Sequence, residues 1–249
     1  MNDNDTNIAS QGKDRLPAFL KRGVFLLFGF MLIGIGISTT KSAEMGTSPI
    51  SSIAYVMSLA VPALSMGTWL FLWFVILVIA QIAMQRKAFS PWQLLQLPLA
   101  FITSFFTDLG NAVWGHLLAI PIENVALLYA IKAAMILAGI VIIAIGISCT
   151  LAANLIMNPG DAFVRTLAAQ IHKPFPTVKV GNDLACVLIS ATIGLIVFTS
   201  TRGIWGGITA GIGIATVITA ALTGFAVKLT NPPIQALGNS WFGQSVDDK

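Results

Sequence analysis

Carboxylates set inside apolar runs are the residues of this chain best placed to do chemistry. Asp108 stands midway along Leu94–Leu118, in Phe105-Phe106-Thr107-Asp108-Leu109-Gly110. A straight helix over that run crosses the hydrocarbon core and puts Asp108 near mid-bilayer. A carboxylate there needs a partner, a wet cavity or a proton, and such groups serve as proton or cation-coupling sites. The plainer reading is a structural charge set against Lys132, or a helix that begins later than the run. Glu44 follows the first long run in Lys41-Ser42-Ala43-Glu44. It either faces the protein interior or pairs with Lys41 in an outer loop.

Two short segments supply a second kind of chemistry. Thr47-Ser48-Pro49 offers Ser48 as N-cap and Pro49 at the first helical position; Asn158-Pro159-Gly160-Asp161 offers Asn158, Pro159 and an acid in the first turn. A helix start carries about half a positive charge and free N–H groups, so one turned inward attracts anions. Asn154 stands in the second segment where Glu44 stands in the first. Glu44, Ser48, Pro49, Asp108, Asn154, Asn158, Pro159 and Asp161 are the candidate solute- or ion-binding residues. Asp161 with Arg165, and Lys179 with Asp183, are spaced by four and read as salt bridges along one helix face.

Other chemistry is missing. No HExxH, GxSxG, P-loop, CxxC or glycine-rich dinucleotide motif occurs. Cys149 and Cys186 lie in apolar segments and read as packing residues, while His116 and His172 stand alone. No enzyme activity, cofactor or metal is expected.

The elements that must hold these residues are membrane helices. The chain is 56% hydrophobic and 10% charged, with a mean hydropathy of +0.84. Soluble domains carry about 25% charged residues, so water is not the main solvent here. Net charge is +4, but the 14 Lys and Arg are scattered, so nucleic acid is not an expected partner. Six runs are long enough to span: Gly23–Thr40, Thr68–Met84, Leu94–Leu118, Val125–Ala153, Val180–Phe198 and Ile204–Val227. The pieces Pro49–Val61 and Pro159–Ile171 are too short to cross, and read equally as re-entrant or interfacial helices. A cleavable signal peptide near Ser42-Ala43 is not expected, because the same segment recurs later in the chain.

That recurrence is a repeat. Gly29–Pro49 aligns with Gly139–Pro159 at a shift of 110, with nine identities in 21 positions, among them Ile35/Ile145, Ser38/Ser148, Thr40/Thr150 and Pro49/Pro159. Gly67/Gly181 and Gly110/Gly224 extend it at a shift of 114, and Trp92/Trp205 at 113. Three crossings per half invert the second copy, an arrangement typical of transporters. With the N-terminus in the cytoplasm, eleven Lys and Arg fall inside and only Lys41, Lys132 and Arg202 outside.

The expected architecture is an all-α polytopic membrane protein, six transmembrane helices as a 3+3 inverted repeat with one short helix in each half. A polar tail covers residues 1–20, the first repeat 21–120 with short helix 49–61, the second repeat 121–230 with short helix 159–171, and a polar tail 231–249. Gly203, Gly207 and Gly211 step by four along the last helix towards Ala215, a small-residue ridge for helix or dimer contact. Gly34, Gly36 and Gly146 let the two first helices cross closely. The expected setting is a bacterial inner membrane, with both termini cytoplasmic.

The segment Ala43-Glu44-Met45-Gly46-Thr47-Ser48-Pro49-Ile50-Ser51-Ser52 resembles the YczE/YyaS/YitT-like bacterial membrane proteins, whose first helix ends in A-x-x-G-x-x-P. Gln93–Pro98, Asp108 and Val178-Lys179 with Asp183 are similar to that group as well. The resemblance implies an integral inner-membrane protein and brings no substrate or catalytic residue with it.

The functional expectation is a secondary transporter or exporter of a small solute, in one version anionic, held between the halves, with Asp108 or Glu44 as coupling group. A channel is a close variant. The rival reading is a non-transporting accessory protein that stabilises or regulates a partner complex. The bilayer, a small solute and a second copy of the chain are the expected partners.

Overall fold

The computed structural model describes residues 3–119 and 123–242, and side chains from Ala18 onward. Lys13, Arg15, Lys249 and the end of the expected C-terminal tail therefore lie outside what can be described, wholly or in their side chains. Every regular element among the described residues is helical: α1 (Asp3–Ser42), α2 (Pro49–Ala60), α3 (Met66–Gln85), α4 (Gln96–Leu117), α5 (Val125–Ala153), α6 (Pro159–Gln170), α7 (Phe175–Ile208) and α8 (Ile214–Phe242), with two 3₁₀ turns at Arg86–Ala88 and Pro91–Leu95.

Five of these are long and apolar enough to cross a membrane: α1 from Ala18, α3, α5, α7 and α8. The sixth expected crossing, α4, has 22 residues, about 33 Å of helix. It is not among the five, because Thr103, Ser104, Thr107, Asp108 and Asn111 dilute its apolar side chains. Both short helices have 12 residues, about 18 Å, and do not span.

At the centre α1 and α5 cross antiparallel. A Cβ on Gly36 would lie 2.9 Å from the Gly139 carbonyl, and one on Gly139 3.0 Å from that of Gly36. Gly29 and Gly146 block each other in the same way, at 2.8 and 2.7 Å. The shift of 110 exchanges these two contacts, so the crossing repeats itself under the sequence repeat. In lipid no hydrophobic force drives helices together, and close backbone packing of this kind replaces it. Gly34 does not join this crossing as expected. It admits α4, lying against Thr103, Phe106 and Thr107. Around the crossing Ile33, Ile37, Ala54, Leu70, Phe74, Ala100 and Ile143 form one core that draws in α1 to α5.

Two expectations at the end of the chain are corrected. The small residues 203, 207, 211 and 215 do not share one helix. Gly203 breaks α7 at φ 71°, ψ 173°, backbone that only glycine adopts freely, and α8 starts at Ile214 instead of Ile204. Gly207 instead packs on Gly194 within α7, and Gly211 on Ser52, Val56 and Ser190, while a Cβ on Gly203 would meet nothing within 4 Å. The expected tail from 231 is helical through Phe242 despite Pro232 and Pro233. The end of α8 is held on α1: the Phe25 and Phe242 rings meet edge-on at 5.6 Å, Arg22 sits 5.3 Å from the Phe242 ring centre, and Lys21 Nζ donates to the Trp241 carbonyl at 2.9 Å.

Candidate functional site

The two short helices start from matching turns. α1 and α5 each end before a residue in the left-handed region, Glu44 (φ 56°) and Asn154 (φ 48°), which are repeat mates. Asn adopts that conformation readily and Glu at more cost. The chain then reverses, and Ser48 and Asn158 take the N-cap positions with Pro49 and Pro159 next, as the sequence reads. Asn158 Oδ1 accepts from the Gly160 N–H at 3.0 Å. Ser48 makes no such cap; its hydroxyl bonds that of Ser51 at 2.6 Å, in a chain continuing through Thr47 to Thr40. The two starts then meet. A Cβ on Gly160 would collide with Ile50, and Pro49, Ser51, Ser52, Pro159 and Gly160 are all buried. The first turns of both short helices are thus buried in the protein.

Beside that meeting point is a glutamine cluster that sequence reasoning missed. Gln81 of α3 and Gln96 of α4 exchange Nε2–Oε1 bonds of 3.2 Å in both directions, fully buried, and Gln81 Nε2 reaches the Pro159 carbonyl at 3.3 Å. Gln85 Nε2 donates to Thr166 Oγ1 of α6 at 2.8 Å, and Gln93 Nε2 to Gln85 Oε1 at 3.4 Å. These side chains line a cavity of about 660 Å³ between α3, the start of α4, the α5–α6 turn and α6. The signal available in the sequence was Gln81, an uncharged polar residue near the end of an otherwise apolar run. Gln81→Leu is expected to cost about 1–3 kcal/mol, because it leaves the Gln96 amide buried without its partner. Unfolding in mixed micelles checks this, and Gln81→Leu with Gln96→Leu together should restore part of the loss.

The candidate carboxylates are spread over the molecule. Asp108 closes the start of α3, accepting from Ser65 Oγ at 2.5 Å and from the Gly67 N–H at 2.7 Å. It thus satisfies a free N–H and the positive end of the α3 dipole. Asp108→Ala is expected to cost roughly 1 kcal/mol of stability, as lost N-caps do, and Asp108→Asn less, since its amide oxygen still accepts. Thermal unfolding of the purified variants tests the ranking. Glu44 is 73% exposed and pairs with Lys132 at 3.0 Å, while Lys41 lies over the Tyr55 ring at 5.8 Å. Asp161 pairs with Lys179 of α7 at 3.5 Å, not with Arg165, and Lys179 also holds Asp183 at 3.1 Å. Of the eight candidates, Ser48, Pro49, Asn158, Pro159 and Asp161 gather at the two helix starts; Glu44, Asp108 and exposed Asn154 do not.

The halves differ at one seam. α4 lies along α1 and α8 along α5; α2 lies against α7 and α6 against α3. α3 also packs on α4: Gly67 is pressed on the Ser104 carbonyl and the Asp108 carboxylate, and Phe71 meets Phe101 edge-on at 5.9 Å. Its mate α7 has no such seam with α8, and neither Gly181 nor Gly224 would meet anything within 4 Å of an added Cβ. The structure also revises the pairing of these glycines. Thr107 Oγ1 donates to the Gly34 carbonyl and Thr230 Oγ1 to the carbonyl of Ala144, its mate at a shift of 110, both at 3.3 Å, so Thr107 corresponds to Thr230 and Gly110 to Pro233, not Gly224. On that offset Val227 corresponds to Ser104 and Asn231 to Asp108, so the open Gly181 stands where Gly67 is pressed on α4.

Known proteins agree with the resemblance noted above. The chain is 26% identical over 209 residues, 83% of its length and 90% of the other protein's, to "Uncharacterized protein YyaS" of Bacillus subtilis (strain 168). No solved structure matches it. A family model described as "Family of unknown function (DUF6198)" matches residues 20–232, which takes in the paired short helices, the glutamine cavity and both seams. The chain belongs to the DUF6198 family.

Proposed function

We propose that this protein is a small secondary transporter that moves a small solute between its two halves by alternating access. The observation that carries the reading is the unequal seam. Gly67 of α3 is packed shut against α4, while its mate Gly181 of α7 stands open and α7 keeps no such contact with α8. Two copies of one unit held in different arrangements are what a rocking inverted repeat requires. Supporting it are the antiparallel α1–α5 crossing, the two short helices that start inside the protein, and the polar cavity beside them. In this reading α4 crosses with the other five helices, giving a 3+3 inverted repeat. The excess of Lys and Arg supports placing both termini in the cytoplasm, in the inner membrane of a bacterium. The open α7–α8 seam then faces the cytoplasm.

The test is flux. Purified protein is reconstituted into vesicles and assayed against a panel of small carboxylates, amino acids, neutral amides and amines. Saturable, protein-dependent uptake of one class is expected. No uptake of any of them, with stable co-purification of one membrane partner from the native membrane, would replace this reading with the accessory role.

A further inference from the structure

We propose that the glutamine-lined cavity is a binding site for a small organic monocarboxylate of amino-acid size, with Arg165 as the group that takes the carboxylate. This deepens the transport reading and rests on it for the route by which the solute leaves. The observation is an unbalanced cation. Arg165 lies four residues after Asp161, the natural partner on its own helix, yet Lys179 takes Asp161, and among the described residues no carboxylate lies within 4 Å of Arg165. The guanidinium meets only a weak acceptor, Met157 Sδ, at 3.4 Å from one terminal nitrogen.

The cavity wall that holds Arg165 bears no acidic side chain. It presents instead Gln85, Gln93, Gln170 and Thr166, the indole of Trp92, and His172. A planar guanidinium with two parallel N–H groups fits a carboxylate in bidentate fashion. One such group balances one negative charge, which favours a monoanion over a phosphate dianion. The amides define the rest of the ligand. Gln93 and Gln170 each place one of their two Nε2–H groups, on Gln85 Oε1 and on the Met84 carbonyl, and both Oε1 atoms are free to accept. A ligand that offers N–H donors a few ångströms from its carboxylate satisfies both ends. About 660 Å³ is room for a molecule of that size and some water.

The full chain, purified in a neutral detergent, is titrated with N-acetylglycine, with its uncharged analogue N-acetylglycinamide, and with dispersed phosphatidylglycerol, with calorimetry and thermal shift as readouts. N-acetylglycine is expected to bind saturably and at least about tenfold more tightly than the amide, the loss usual for an unmatched charged partner. Arg165→Gln should abolish that preference while leaving the melting temperature of the ligand-free protein unchanged, because Arg165 is exposed and holds no carboxylate. Equal binding of carboxylate and amide, no saturable binding of either, or an unchanged preference in Arg165→Gln each overturns the proposal. So does Arg165-dependent binding of phosphatidylglycerol alone, which would make the site a lipid-headgroup contact. Flux without Arg165-dependent binding removes this site and leaves transport standing; binding without flux keeps the site and removes transport.

Discussion

Gly36→Val is expected to yield little or no folded protein. The added Cβ would sit 2.9 Å from the Gly139 carbonyl and closer still to the neighbouring Ile143 side chain. The side chain has some freedom to move, but the carbonyl belongs to the backbone of a long helix at the middle of the bundle. Relief requires α1 and α5 to separate along their whole crossing, which also opens Gly29 from Gly146. Overpacking in an adaptable core costs roughly 1–3 kcal/mol, and a helix pair with no hydrophobic drive behind it has little to offset that. Gly139→Val should do the same, being the repeat mate of Gly29 and the facing partner of Gly36. Gly23→Ala is the control, since nothing lies within 4 Å of a Cβ there. Monodispersity and yield in detergent check the series. Equal yields of Gly36→Val and Gly23→Ala would show that the crossing does not hold the fold.

Joining Gly181→Cys to Val227→Cys, the counterparts of Gly67 and Ser104, is expected to stop flux when the pair is oxidised. Gly181 is open and α7 makes no contact with α8 of the Gly67–Ser104 kind, so the two thiols meet only if α7 closes on α8 as α3 closes on α4. A disulfide needs Cα atoms within about 7 Å, so its formation alone reports the closed seam. Once formed it holds one state, and transport that depends on exchange between two states falls by about tenfold or more. Reduction should restore it. The experiment is made with Cys149 and Cys186 replaced by Ala, since both are free thiols. Flux that continues at full rate in the oxidised double variant would mean the seam takes no part.

Local signals in the sequence marked the paired short helices well, and for physical reasons. Ser48-Pro49 and Asn158-Pro159 act through the backbone of their own turn, so their meaning is contained in adjacent residues. The glycines at 29, 36, 139 and 146 were visible through the repeat, which brings distant positions into one comparison. Where a partner comes from another helix the sequence offered no such handle. Asp108 looked like an unpaired mid-membrane charge because Ser65 and Gly67, which it caps, lie more than forty positions away. Arg165 looked paired to Asp161 because the competing Lys179 arrives from α7. The spacing by four from Gly203 to Ala215 suggests a ridge, but the φ of 71° at Gly203 and the end of α7 at Ile208 interrupt the helix it assumes. Gln81 and Gln96 belong to no motif as single amides, and only their pairing across α3 and α4 gives them weight.

The central claim is that the two halves exchange arrangements, and paired spin labels measure it directly. One pair is placed at Thr68 and Phe105, across the closed seam, and a second at Asn182 and Lys228, their counterparts across the open one. Distances are read by pulsed electron resonance in vesicles, with and without a transported solute. Two populations are expected at each pair, and solute should shift them in opposite directions, the first distance lengthening as the second shortens. A single distance at both pairs, unmoved by any solute that crosses the membrane, would contradict the account.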